Sequence, residues 1–150
     1  MSSTHRTTID ETAPAVTRQE RVVGAAPARV LALLRDVTAW PAWQPEVQRV
    51  DRVEPQGLLR VGSTFRWRSG GVWITSTVVE LEEGRAIAWT GRAVGTRAVH
   101  TWVLDEVPGG TRVRTEESMS GWLPRLLPGA VRRTLENGVA STLDALAAEA

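Results

Sequence analysis

The chain has 150 residues, 42% of them hydrophobic and 23% charged, with a formal net charge of +1. That suits one domain around one core, and it gives no broad field for drawing in nucleic acid. All eighteen basic residues are arginine and there is no cysteine, so lysine-based Schiff-base chemistry, thiolate catalysis, disulfides and cysteine-rich zinc sites are excluded.

Residues 1–17 are polar and rich in Ser, Thr, Ala and Pro, and read as a disordered N-terminal tail ahead of a domain over 18–150. The tail has no apolar stretch of the kind a secretory signal needs, and no run approaches a membrane span. With the lack of cysteine, this fits residence in the cytoplasm. A first strand is expected from Arg18 to Ala25. Pro27 opens a helix whose apolar side is Val30, Leu31, Leu33 and Leu34, ending near Asp36. Trp40-Pro41-Ala42-Trp43-Gln44-Pro45 allows only a short helix or turn.

A strand from Val47 to Val53 follows, and then a run of strands punctuated by turn signals. These are Ser63–Ser69, Val72–Leu81, Ala86–Arg92, Arg97–Val107 and Thr111–Ser120, separated by Gly70-Gly71, Glu82-Glu83-Gly84, Val94-Gly95 and Pro108-Gly109-Gly110. From Arg125 or Pro128 to Glu149 the spacing predicts a long helix, with Val131, Leu135, Val139, Leu143 and Leu146 on one stripe. Gly138 inside it suggests close packing or a bend. The predicted fold class is α+β: a curved antiparallel sheet of six to seven strands wrapped around the C-terminal helix. One amphipathic helix covers such a sheet only if the sheet curls, and that geometry leaves a pocket between them.

Ala26-Pro27-Ala28-Arg29-Val30, Leu34-Arg35-Asp36, Trp40 to Val47, Gly62 to Trp67, Gly109 to Val113, and Glu116-Glu117-Ser118 before Gly121-Trp122 occur here in a characteristic order. On these the chain resembles the START-like, helix-grip superfamily (SRPBCC), in its polyketide cyclase/dehydrase-like branch. The resemblance spans about residues 18–149. It implies the helix-grip fold and a deep apolar cavity, with Trp40 and Trp43 near its mouth. It does not fix the chemistry, because the superfamily holds carriers, receptors and cyclases alike.

Hairpin arithmetic assigns the inward face. A turn centred on Val94-Gly95 sets His100 opposite Trp89 and Trp102 opposite Ile87. A turn centred on Gly109-Gly110 sets Trp102 opposite Glu117 and His100 opposite Met119. Ile87, Trp89, His100, Trp102, Leu104, Val113, Thr115, Glu117 and Met119 then share one mostly apolar face. His100 and Glu117 would stand diagonally, about 5–8 Å apart.

The candidate ligand-binding residues are Trp43, Phe65, Trp67, Ile87, Trp89, His100, Trp102, Glu117, Met119, Leu127, Val131 and Leu135. His100 and Glu117 are also the catalytic candidates if the protein is an enzyme. The seven tryptophans serve equally as core filler or as pocket wall. Trp122 to Leu127 is apolar and rich in proline, and reads as a flap, a peripheral membrane contact, or a packed junction.

No metal and no cofactor are expected. There are only two histidines, with His5 in the tail, and neither a phosphate-cradling glycine motif nor a nucleophile elbow is present. The leading expectation is a protein that binds or transports a hydrophobic, lipid- or polyketide-like molecule, with no nucleic-acid partner. The alternatives are an aromatase/cyclase or dehydratase using His100 and Glu117, and a regulatory or interaction module with an incidental cavity.

Overall fold

The computed structural model describes residues 6–150, so His5 and the start of the expected tail lie outside the described residues. The strands are β1 (Ala15–Val23), β2 (Val47–Glu54), β3 (Thr64–Ser69), β4 (Val72–Glu82), β5 (Ala86–Ala93), β6 (Thr96–Val107) and β7 (Gly110–Ser120). They form one antiparallel sheet in the order β1-β7-β6-β5-β4-β3-β2. From β2 onward each strand pairs with the next through a short connection. The first strand instead crosses to lie beside the last, and the excursion between them holds α1 (Pro27–Arg35), a 3-10 turn (Val37–Ala39) and α2 (Trp40–Trp43). After β7 come α3 (Trp122–Leu126) and α4 (Pro128–Glu149).

Alternation along the strands sets which side chains turn inward, and the register aligns them in rows. One row is Phe65, Ser76, Gly91, Ala98, Met119 and Ala15. The next is Val78, Trp89, His100, Glu117 and Thr17, and a third holds Leu81, Ile87, Trp102, Thr115 and Gln19. Leu135, Val139, Leu143 and Leu146 of α4 are buried in the same core. Val131 is only partly buried. The helix is tied to the sheet edge where the Gln19 amide donates to the Glu136 carbonyl at 3.0 Å and Arg21 pairs with Asp144. Gly138 has nothing within 4 Å of where a Cβ would stand, so it does not mark the close packing its position suggested.

The N-terminal boundary requires a correction. Residues 6–17 are not a free tail. Strand β1 starts at Ala15, three residues before the expected Arg18, and Ile9 is buried. The Asp10 N–H donates to Ser118 Oγ on β7 at 3.0 Å, the Thr7 N–H donates to Glu80 Oε1 on β4, and Arg6 pairs with Glu80 and Glu82. Ser118 and Glu80 lie on the outer face, in the register alternate to Glu117 and Val78. The segment is therefore a strap across the back of the sheet, which accounts for the burial of Ser118 and Thr101 on that side.

Candidate functional site

Aromatic rings occupy the inner face. Trp40, projecting from α2, has its ring 5.6 Å from Phe65 and 5.5 Å from both Trp67 and Trp89. Its indole N–H donates to the Leu33 carbonyl at 3.3 Å. Trp89 continues the chain of contacts to His100 at 5.4 Å and Trp102 at 6.3 Å. These edge-on and tilted contacts suit the ring quadrupoles. They also fill much of the space where the sequence suggested an open chamber.

His100 and Glu117 end this aromatic wall. The register places them directly opposite on β6 and β7, with Trp102 opposite Thr115. The expected diagonal arrangement is thus corrected. Val107 pairs with Gly110, so the tight turn is Pro108-Gly109, and the strands are two residues out of the anticipated register. A shift of two preserves the face, so all nine expected inward residues do face inward. The β5–β6 hairpin has the register the Val94-Gly95 turn predicts, with Trp89 opposite His100 and Ile87 opposite Trp102.

His100 Nδ1 lies 3.4 Å from Glu117 Oε1, and His100 Nε2 lies 2.8 Å from Thr115 Oγ1. The side chains are 10% and 14% exposed, so a thin edge of each still meets solvent. Burial raises Glu117 from 4.5 to about 8 and lowers His100 from 6.5 to about 3. Both groups are therefore neutral at pH 7. A protonated Glu117 facing Nδ1, with Nε2–H donating to Thr115, leaves no buried charge in the set.

A pH dependence follows. A group whose folded value is raised gives stability that is complete below its unfolded value and disappears as pH rises through the folded one; Glu117 is this case, from 4.5 to about 8. His100 is the reverse, losing its contribution as pH falls from 6.5 toward about 3. Stability from the pair is expected to be flat between about 4.5 and 6.5 and to fall on either side. Urea midpoints of Glu117→Gln should gain on the parent steadily from pH 5 to about 8. Parallel curves would refute the assignment.

The other sequence-derived residues divide. Phe65, Trp67, Ile87, Trp89, Trp102, Met119 and Leu135 join the inner face, with the Trp67 N–H donating to Ser76 Oγ at 3.0 Å. Trp43 lines a separate surface groove with Arg29, Leu33 and Leu58, away from the His–Glu pair. Leu127 caps the start of α4 and is half exposed, so it is not part of the inner wall. A second groove, by Trp122 and Arg125, also lacks His100 and Glu117. Sequence reasoning missed the hydrogen-bonding role of Thr115. It also missed the row of small residues, Ser76, Gly91 and Ala98, beside the pair. Their signal is the loss of bulk at three inward positions in register. Among the described residues no three His, Asp or Glu side chains gather as a metal-binding group.

Residues 14–150 match the family described as polyketide cyclase / dehydrase and lipid transport. The chain belongs to that family. This family member has its fold in common with several solved structures. A hypothetical protein of Helicobacter pylori is 23% identical with a TM-score of 0.82, covering 93% of this chain and 89% of that one. The Zhui aromatase/cyclase from Streptomyces sp. R1128 is 16% identical with a TM-score of 0.77, covering 89% and 92%. A START superfamily protein from Mycobacterium smegmatis is 17% identical with a TM-score of 0.74, covering 89% and 95%. At these identities the likeness establishes the helix-grip fold. No match was found among curated proteins, and no described helix is long and apolar enough to cross a membrane.

Proposed function

We propose that this family member binds a largely apolar small molecule, lipid- or polyketide-like, against the inner face of the sheet, and carries it through the cytoplasm. One observation carries the reading: a polar set, His100 hydrogen-bonded to Thr115 and 3.4 Å from Glu117, is kept at the solvent-touched edge of an otherwise aromatic wall. A buried polar set costs stability relative to packed hydrocarbon unless it recognises something. The polar end of the ligand meets His100 and Glu117, and its rings or chain lie over Trp89 and Trp102. Trp102 adds a buried indole N–H with no partner among the described residues, a donor left for an occupant.

Under this reading the ligand lies over the row of small side chains Ser76, Gly91 and Ala98, where the inner face carries least bulk. A Cβ on Gly91 would meet Ile74, Ser76 and Ala98 at 3.4–3.7 Å, which is ordinary contact, and its backbone is not in the left-handed region. A leucine there exceeds that contact, so Gly91→Leu is expected to cost about 1–3 kcal/mol of stability and to lose ligand at least about tenfold. Native mass spectrometry of protein purified from its own host, parent against variant, provides the test. An apolar molecule retained by the parent and absent from Gly91→Leu is the expected result. Equal retention by both proteins would remove this row from the binding site.

A second reading is favoured by the protonation of the pair. Glu117 holding a proton up to about pH 8 is a candidate general acid, and the neutral imidazole of His100 beside it is a hydrogen-bonding partner for the reacting oxygen. That arrangement suits enolisation and loss of water from a polyketone, the chemistry of an aromatase/cyclase. Under this reading Glu117→Gln abolishes turnover and leaves ligand retention intact. The rate also falls as pH rises through about 8.

A further inference from the structure

The end of the sheet beyond Met119 carries a surface that ligand binding does not use. The β5–β6 turn, α3 and the start of α4 converge there. Gly95 lies so tightly under the Trp122 indole that a Cβ at position 95 would fall 2.5 Å from the ring, and the Leu123 N–H donates to the Gly95 carbonyl at 3.1 Å. Four large apolar side chains project from this junction. Val94 is 78% exposed, Leu126 69%, Trp122 62% and Leu127 50%. Clustered exposure of this kind marks a contact surface, whereas isolated exposed apolar residues are ordinary.

Arginine surrounds the cluster. Arg97 and Arg125 line the groove beside Trp122 and Leu126, where Asp10 is the one carboxylate. Arg92 stands directly opposite Arg97 on the paired strands, a like-charge arrangement that costs stability in an isolated sheet. Arg132 and Arg133 follow on α4, and Ser118 to Leu135 contains no acidic residue. None of these five arginines makes an ion pair among the described residues, whereas seven others do. In a chain of net charge +1 this is a local concentration of free positive charge.

We propose that this end docks on the surface of an anionic phospholipid bilayer. Trp122, Leu126 and Leu127 enter the boundary between headgroups and acyl chains, and the arginines meet lipid phosphates. An indole with an apolar body and one polar N–H suits that boundary, and guanidinium forks suit phosphate. The apolar groups sit on a turn and a five-residue helix at the tip of the fold, ringed by one sign of charge. This shape fits a planar interface better than the recess or flat strip that an acidic protein would read. The row holding Ala98 and Met119 lies just inside, so a docked molecule brings this end of the inner face close to the lipid.

The test uses the whole protein with sedimented vesicles of phosphatidylcholine alone, or mixed with phosphatidylglycerol at roughly seven to three. Binding to the anionic vesicles is expected to exceed binding to the neutral ones at least about tenfold and to vanish near 1 M salt. Trp122→Ala with Leu126→Ala should weaken binding about tenfold at unchanged melting temperature. Arg97→Glu with Arg125→Glu should remove the preference for anionic lipid. Val22→Ala, an exposed valine at the far end of β1, should change nothing. Gly91→Leu should bind vesicles normally while losing the apolar ligand, so loss of the ligand site and loss of docking read separately. Absence of binding to the anionic vesicles, or equal binding by the paired variants, overturns the proposal. Capture of an acidic protein without vesicle binding would also overturn it, and would assign the surface to a protein partner.

Discussion

Trp40→Ala is expected to destabilise the protein by about 3–5 kcal/mol and to lower its melting temperature by roughly 10–20 °C. Trp40 is the point at which the helical excursion meets the sheet. Its ring contacts Phe65 and Trp67 on β3 and Trp89 on β5, and its N–H is satisfied on α1. Truncation removes all of these contacts and opens a void among rigid rings, which cannot collapse as flexible aliphatic chains can. The exposed Trp122 supplies the internal control, since Trp122→Ala should stay within about 0.5 kcal/mol of the parent. A Trp40 variant as stable as the Trp122 one would mean the ring cluster does not hold the excursion in place.

Gly110→Ala should be comparably damaging, at more than about 3 kcal/mol, and is expected to yield largely insoluble protein. A Cβ at 110 would stand 2.0 Å from the Val23 carbonyl oxygen, and the backbone at φ 155° is already one that side chains rarely adopt. The obstacle is main chain and cannot rotate away. It lies where β1 leaves its pairing with β7, a place also pinned by Thr111 Oγ1 donating to the Ala25 carbonyl at 2.7 Å. Gly109→Ala separates the causes. Position 109 also has positive φ but nothing within 4 Å, so the strain alone should cost about 1–2 kcal/mol. Equal urea midpoints for the two variants would show that the strand shifts to relieve the clash.

These sites also mark how far the sequence can be read. Strand faces were legible because Phe65 and Trp67, Trp89, and His100 and Trp102 alternate with outward neighbours. The β5–β6 register was legible because Ala93 and Thr96 bracket a two-residue turn. The β6–β7 register was not, because Pro108-Gly109-Gly110 offers two turn positions and only the close approach of Gly110 to Val23 selects one. That ambiguity turned the His100–Glu117 contact into a diagonal.

The strap was hidden for a different reason. Residues 6–14 contain one large aliphatic side chain, Ile9, and are held chiefly by main-chain N–H groups reaching Ser118 and Glu80, a long-range matter that local composition does not record. Pattern likewise gives direction but not depth. It turned the tryptophans inward without revealing that Trp40 would drop onto the sheet from α2 and occupy the middle of the expected chamber.

That indole chain also makes the molecule a light collector. Trp40, Trp67, Trp89 and Trp102 are linked by centroid spacings of 5.5–6.3 Å, far inside the range over which excited indoles hand energy to one another. An excitation absorbed anywhere in the series migrates before it is emitted, so emission from the core should be strongly depolarised. A molecule absorbing in the near ultraviolet and seated at either end would darken all four rings together, with Trp122 left shining from the tip.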